Sequence, residues 1–220
     1  MERKSGHKID AVIFDMDGLM FDTERVAARG WKRAGEQLGF TISENELRQM
    51  RGRNVIAGRA LFQEWYQGSI SYDEARNVRT AYVTEYIEKE GTPVKEGLPE
   101  LFKFLKEKGY RKAIATSTQR ETVEWYFSHA SLPFDFEESV CGTEIKKGKP
   151  APDVFVAAAE KLGLPPERCL VLEDSFSGVR AGAAAGCSVI MVPDLQEPDE
   201  EISSLCLAVC RTLREVPSYL

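Results

Sequence analysis

The feature that most constrains this chain is the stretch Ala11–Gly18, AVIFDMDG, an unbroken apolar run that ends on two carboxylates and a glycine. An apolar run without alternation reads as a strand buried on both faces, the kind found in parallel sheets. Side chains at i and i+2 of an extended chain point the same way, so Asp15 and Asp17 face one spot just past the strand end. Gly18 then lets the backbone turn tightly and approach a ligand. Two like charges held this close repel, which raises one pKa unless a cation sits between them. Magnesium takes oxygen ligands and is usually held by one or two carboxylates plus a substrate phosphate. Paired acids after a strand also cap a following helix or line a solvated turn, and this stretch alone leaves both readings open.

The pattern then changes. Asp22, Thr23 and Glu24 form a start signal for a helix to about Leu38, which Gly39 closes. Ser43 with Glu46 is a capping box for a helix toward Met50. Arg51-Gly52-Arg53-Asn54 interrupts, a third helix runs from about Val55 to Tyr66, and Ser71 opens a fourth from about Tyr72 to Glu88, before Gly91-Thr92-Pro93. Four helices with no strand between them read as an all-helical insertion, with Trp31, Trp65 and Tyr66 as its core or else a stack for substrate.

From Gly97 helix and strand alternate. Helices are expected over Leu98–Lys108, Gln119–His129, Ala151–Leu162 and Ser175–Ala185; strands over Lys112–Thr116, Glu138–Cys141, Cys169–Asp174, the run SVIMVP and Leu207–Cys210. Such alternation implies βαβ units. The expected fold is α/β, a Rossmann-like parallel sheet with helices on both faces plus an inserted all-α cap domain. Its boundaries fall at 1–22 and 94–220 for the core and 23–93 for the cap.

Net charge is −6, which does not favour nucleic acid or an anionic membrane surface, so an anionic substrate must be welcomed locally. The five cysteines form no CxxC pair and sit mostly in apolar runs, as reduced core residues do. No run of about 20 apolar residues occurs and the N-terminus has no apolar signal region, so a cytoplasmic protein is the simplest reading. No surface stripe names an interface; a monomer or weak homo-oligomer is expected.

Open α/β sheets bind ligands at the carboxyl ends of their strands. This sequence puts Asp15 and Asp17 at one such end, Thr116, Ser117 and Thr118 at another, and Glu173 and Asp174 at a third, with Lys149 ahead of a helix. Acids, hydroxyls and a lysine together describe a site for a phosphate with a divalent cation. The hydroxyls also read as plain helix caps, and Lys149 before Pro150 as a solvated side chain.

FDMDG at Phe14–Gly18, the Thr116 strand end, KPAPD at Lys149–Asp153 and LEDSFSGVRAGAAAG at Leu172–Gly186 resemble, in order, the four motifs of the haloacid dehalogenase superfamily. The FDMDGLMFDTE opening and the helical insertion after it are similar to its β-phosphoglucomutase-like, sugar-phosphatase branch. The resemblance implies Asp15 as nucleophile, Asp17 as general acid and base, and Mg²⁺ as cofactor. It implies that Mg²⁺ is held by the carboxylates of Asp15 and Asp174 and the backbone carbonyl of Asp17, with Glu173 as ligand or support. It also implies phosphate binding by Thr116, Lys149 and the backbone near Gly18 and Ser117. Arg53, Asn54 and Glu24 are candidate cap contacts to the leaving group, or else a solvated polar turn.

Where the mutase pattern places a histidine and an arginine in the cap, this chain has Ala27 and Val55. A phosphatase acting on a small phosphomonoester, a sugar or nucleoside-type phosphate, is therefore the leading expectation, and a hexose-phosphate mutase the alternative. A phospho-accepting receiver domain groups similar residues but has no use for a large insertion after its first strand.

Overall fold

The computed structural model describes residues 8–50 and 55–220. Its sheet, six-stranded among the described residues, is built from β1 (Ala11–Phe14), β2 (Arg111–Ala115), β3 (Glu138–Val140), β4 (Cys169–Glu173), β5 (Ser188–Met191) and β6 (Ala208–Val209). All neighbours are parallel and the order is β3-β2-β1-β4-β5-β6. The most apolar strand takes the centre: Phe14 of β1 lies beside Ile114 on one side and Leu172 on the other. The chain winds outward from β1 through β2 and β3, returns across β1, and winds outward again through β4 to β6. Strand order therefore reverses beside β1, and at such a switch point a crevice opens at the carboxyl ends of the strands.

By chain contacts the protein divides into two compact units, residues up to Phe21 with Val94–Leu220, and Asp22–Pro93. In the sheet unit the alternation along β1 serves two layers. Ile13 packs in a cluster with Val171, Phe155 of α7 (Asp153–Lys161) and Val179 of α8 (Phe176–Ala184). Phe14 meets Phe102 of α5 (Leu98–Lys108) edge-on at 5.5 Å and Phe136 at 6.0 Å. All five cysteines are buried and unbridged, as expected of core residues.

The other unit holds α1 (Thr23–Leu38), α2 (Glu44–Met50), α3 (Val55–Tyr66) and α4 (Tyr72–Glu90). Its core gathers Trp31, Leu47, Phe62 and Tyr72, with Trp65 and Tyr66 packed on its margin. The capping box forms: the Ser43 N–H donates to Glu46 Oε2 at 2.6 Å and the Glu46 N–H to Ser43 Oγ at 3.2 Å. No helix among the described residues is long and apolar enough to cross a membrane.

Several boundaries differ from expectation. Asp22 makes no side-chain cap to α1; its carboxylate accepts from Arg25 at 2.7 Å instead. α4 continues to Glu90, because Glu and Lys are good helix formers and Gly91 is the first breaker. α7 begins at Asp153 rather than Ala151, since two prolines hold 150–152 outside the helix; the Lys149–Pro150 peptide bond is cis. Between β5 and β6 runs the unexpected α9 (Glu200–Leu205), whose six residues are too few for helical periodicity to register. Asp199 caps it, accepting from the Ile202 N–H at 2.8 Å.

Candidate active site

The backbone of Asp15 still belongs to the sheet, its N–H donating to Leu172 O at 3.0 Å. Beyond it the chain folds back at once. The N–H groups of Met20 and Phe21 both donate to Met16 O, at 2.9 and 3.2 Å, and that of Gly18 to Phe21 O at 2.9 Å. Gly18 sits at φ +84°, and a Cβ there would lie 2.1 Å from Asp174 Oδ2. Only glycine lets the turn after β1 come this close to the acid that follows β4. Gly18→Ala should therefore cost about 1–2 kcal/mol of stability from backbone strain. It should also lower the activity of the site well beyond the fraction unfolded, by displacing the Asp174 carboxylate. Urea melts set beside specific activity would check this, and unchanged activity would show that the approach is unimportant.

Lys149 reaches into the same place. Its side chain is 6% exposed, and its ammonium donates to Asp15 Oδ1, to Glu173 Oε1 at 2.6 Å and to Ala115 O at 3.2 Å. Glu173, fully buried at the end of β4, turns its second oxygen to the N–H groups of Asp174 and Ser175 and to the Ser175 hydroxyl, each at 3.0 Å. Ser175 also caps α8, its Oγ accepting from the Gly178 N–H at 3.1 Å. The strand end expected from sequence to carry two acids thus splits them: Glu173 faces inward onto donors and Asp174 lies beside the Gly18 turn.

Burial pushes the Asp15 carboxyl up to about 8 against the pull of the Lys149 ammonium, and the Glu173 and Asp17 carboxylates add to the rise. Lys149 responds oppositely. Burial alone would drive its pKa down, but the carboxylates of Asp15 and Glu173 outweigh that and hold the ammonium charged. Carboxylate oxygens of Asp15, Glu173 and Asp174 all lie within 4.8 Å of one another. Three grouped acids, with Asp17 near them, exceed what one lysine neutralises. A hard divalent cation with oxygen preference fits this donor set.

At the end of β2, Thr116 is buried and its Oγ1 accepts from the Thr118 N–H at 3.1 Å. Thr118 Oγ1 donates to Asp17 Oδ2 at 2.6 Å, so the Asp17 carboxylate points to the hydroxyl end of the site, outside the Asp15, Glu173 and Asp174 group. Ser117 is exposed. The structure therefore brings together Asp15, Asp17, Gly18, Thr116, Lys149, Glu173 and Asp174. Glu24 lies in the first turn of α1, in the helical unit, and Arg53 and Asn54 lie outside the described residues. Sequence reasoning did not single out Thr118 or Ser175 as working groups. Their signal was present as hydroxyls at strand ends, but their partners are set by geometry.

Residues 9–186 match the family described as haloacid dehalogenase-like hydrolase. The chain is 34% identical over 209 residues to the protein named "Probable pseudouridine-5'-phosphatase" of Drosophila melanogaster, covering 92% of this chain and 90% of that one. It is 33% identical over 179 residues to the phosphorylated carbohydrates phosphatase of Thermotoga maritima, covering 81% and 82%. Among solved structures, a HAD hydrolase of family IA, variant 3, from Entamoeba histolytica superposes with a TM-score of 0.78 at 26% identity, covering 94% of this chain and 95% of that one.

Proposed function

Because the chain belongs to the haloacid dehalogenase-like hydrolase family, in its sugar-phosphatase branch, and is a phosphoric monoester hydrolase, we propose a magnesium-dependent phosphatase of a small sugar or nucleoside-type phosphate that works through an aspartyl-phosphate. The observation that carries this reading is the convergence of Asp15, Glu173 and Asp174 from two neighbouring strand ends with Lys149 from the segment ahead of α7. Two relatives named for a nucleoside phosphate and for phosphorylated carbohydrates support the substrate class.

Asp15 attacks phosphorus in line, and the bond from phosphorus to the substrate oxygen breaks as the bond to the Asp15 carboxylate forms. Asp17 gives its proton to the departing alkoxide. It then takes a proton from water, whose oxygen attacks phosphorus, and the Asp15–phosphate bond breaks to release inorganic phosphate. Lys149 and Thr116, with backbone N–H groups near Gly18 and Ser117, hold the transferring oxygens. The carboxylates of Asp15 and Asp174 and the carbonyl of Asp17 would hold Mg²⁺ while Glu173 supports Lys149, and the bound ion would supply positive charge against the phosphoryl oxygens.

A phosphate-release assay over a phosphometabolite panel, with Mg²⁺ and with chelator, tests the reading. Release should be confined to phosphomonoesters and fall at least about 100-fold on chelation, returning when Mg²⁺ is restored. Activity indifferent to chelation would remove the metal from the account. Isomerisation of a sugar 1-phosphate to its 6-phosphate without phosphate release would replace the phosphatase by a mutase.

A further inference from the structure

Asp17 must present one carboxyl group to the leaving oxygen in the first step and to water in the second. A side chain at the start of a tight turn keeps such an aim better when a fixed donor holds it. We infer that Thr118 is the positioning residue for this acid and base: its hydroxyl fixes the Asp17 carboxylate in both protonation states. The inference rests on the phosphatase reading above and extends it to a residue that the chemistry does not itself require.

Three contacts make Thr118 a fixed donor. Its N–H donates to Thr116 Oγ1 at 3.1 Å, its carbonyl accepts from the Gly142 N–H at 3.0 Å, and its hydroxyl donates to Asp17 Oδ2 at 2.6 Å. The second contact ties the loop after β2 to the loop after β3. Those loops touch so closely that a Cβ on Gly142 would lie 2.1 Å from Ser117 O. A further clamp keeps them together. Glu144 receives Arg120, the first residue of α6 (Arg120–Ser128), on one oxygen and Lys161 of α7 on the other, the latter at 2.8 Å. The backbone of Thr118 is thus held from two sides, and what remains to be directed is the hydroxyl.

The choice of a hydroxyl has a chemical reason. An ionised carboxylate only accepts hydrogen bonds, whereas a protonated one must also donate. An ammonium would favour the ionised form, whereas a neutral hydroxyl holds the group without that bias. The threonine hydroxyl donates to Oδ2 in both states, whether Asp17 is ionised or carries its proton on the other oxygen, and so leaves that other oxygen for the leaving group and for water. The contact therefore persists as Asp17 gains and loses its proton within one turnover. The length of 2.6 Å is that of a charge-assisted O–H···O bond, stronger than one between neutral groups.

Thr118→Val keeps shape and removes the hydroxyl; Thr118→Ser keeps the hydroxyl. Each would be assayed in a single turnover for release of the leaving group, from an alkyl phosphomonoester, whose alkoxide needs a proton, and from p-nitrophenyl phosphate, whose phenolate leaves without one; the later attack of water, which needs Asp17 on either substrate, then does not enter. Asp17→Asn serves as the reference. For Thr118→Val we expect the release rate from the alkyl ester to fall about 10- to 100-fold, a part of what a general acid contributes. The substrate concentration for half-maximal rate should stay within about twofold, with a clearly smaller loss on p-nitrophenyl phosphate, and Thr118→Ser should restore most of the rate. Equal losses on both substrates for Thr118→Val, while Asp17→Asn remains selective, would overturn the positioning role and leave the phosphatase reading intact. Unchanged release rates for Thr118→Val would overturn it as well. A fully active Asp17→Asn would instead bring down the acid and base assignment beneath it.

Discussion

Asp15→Asn should abolish turnover of every phosphomonoester the enzyme accepts, a loss on the order of 10⁴-fold or more, while the protein melts no earlier than the native chain. An amide is a poor nucleophile toward phosphorus and cannot form the acyl phosphate. The substitution also removes a carboxylate that burial drives up to about 8 and that shares one ammonium with Glu173. Replacing a carboxyl that burial makes costly to ionise by an uncharged amide of the same shape should leave stability without chelated metal unchanged or higher. Activity and stability then move apart. A variant that lost activity only in proportion to its unfolded fraction would contradict the role given to Asp15.

The second large effect belongs to Lys149→Met. Methionine fills much the same volume, so the change isolates the ammonium. Removing it leaves Asp15 and Glu173 buried with no cation between them, and breaking a buried pair in this way costs about 3–5 kcal/mol. If a divalent cation binds the folded chain among the same carboxylates, as proposed, saturating Mg²⁺ should recover part of that loss, and more of it than it adds to the native protein. Turnover should fall about 10²–10³-fold even where the variant is fully folded, as expected when one fixed charge facing the transferring oxygens is lost. Urea midpoints with and without Mg²⁺, read beside kcat, check both halves. A variant as stable as the native chain would mean that Lys149 does not neutralise the cluster.

These residues were open to the sequence in unequal degree. Asp15, Asp17 and Gly18 could be read because a buried strand, its period of two and a turn residue are local facts. The helical block was visible for the same reason, and its capping box of Ser43 and Glu46 is closed within four residues. Glu173 and Asp174 looked alike in sequence, two acids after an apolar run. Their division into one that faces Lys149 and one that faces the Gly18 turn is a matter of where β1 and β4 lie side by side. Thr118 was a plain strand-end hydroxyl until the sheet order put its loop beside Asp17, 101 residues earlier in the chain. Asp22 carried every sign of a helix cap yet pairs with Arg25, since a nearby guanidinium competes with backbone N–H groups for the same carboxylate. The short α9 was hidden by its length.

In the proposed reaction the phosphoryl group passes through Asp15. Asp17→Asn should still let a phosphate with a good leaving group transfer to Asp15, because that step needs no proton, and should stall before water attacks, because that step needs a base. Acid quenching of this variant with p-nitrophenyl phosphate, followed by mass analysis of the peptide carrying Asp15, measures the intermediate directly. The account predicts a phosphorylated Asp15 peptide that builds up during turnover and is absent from Asp15→Asn; an unmodified peptide alongside continued phosphate release would contradict it.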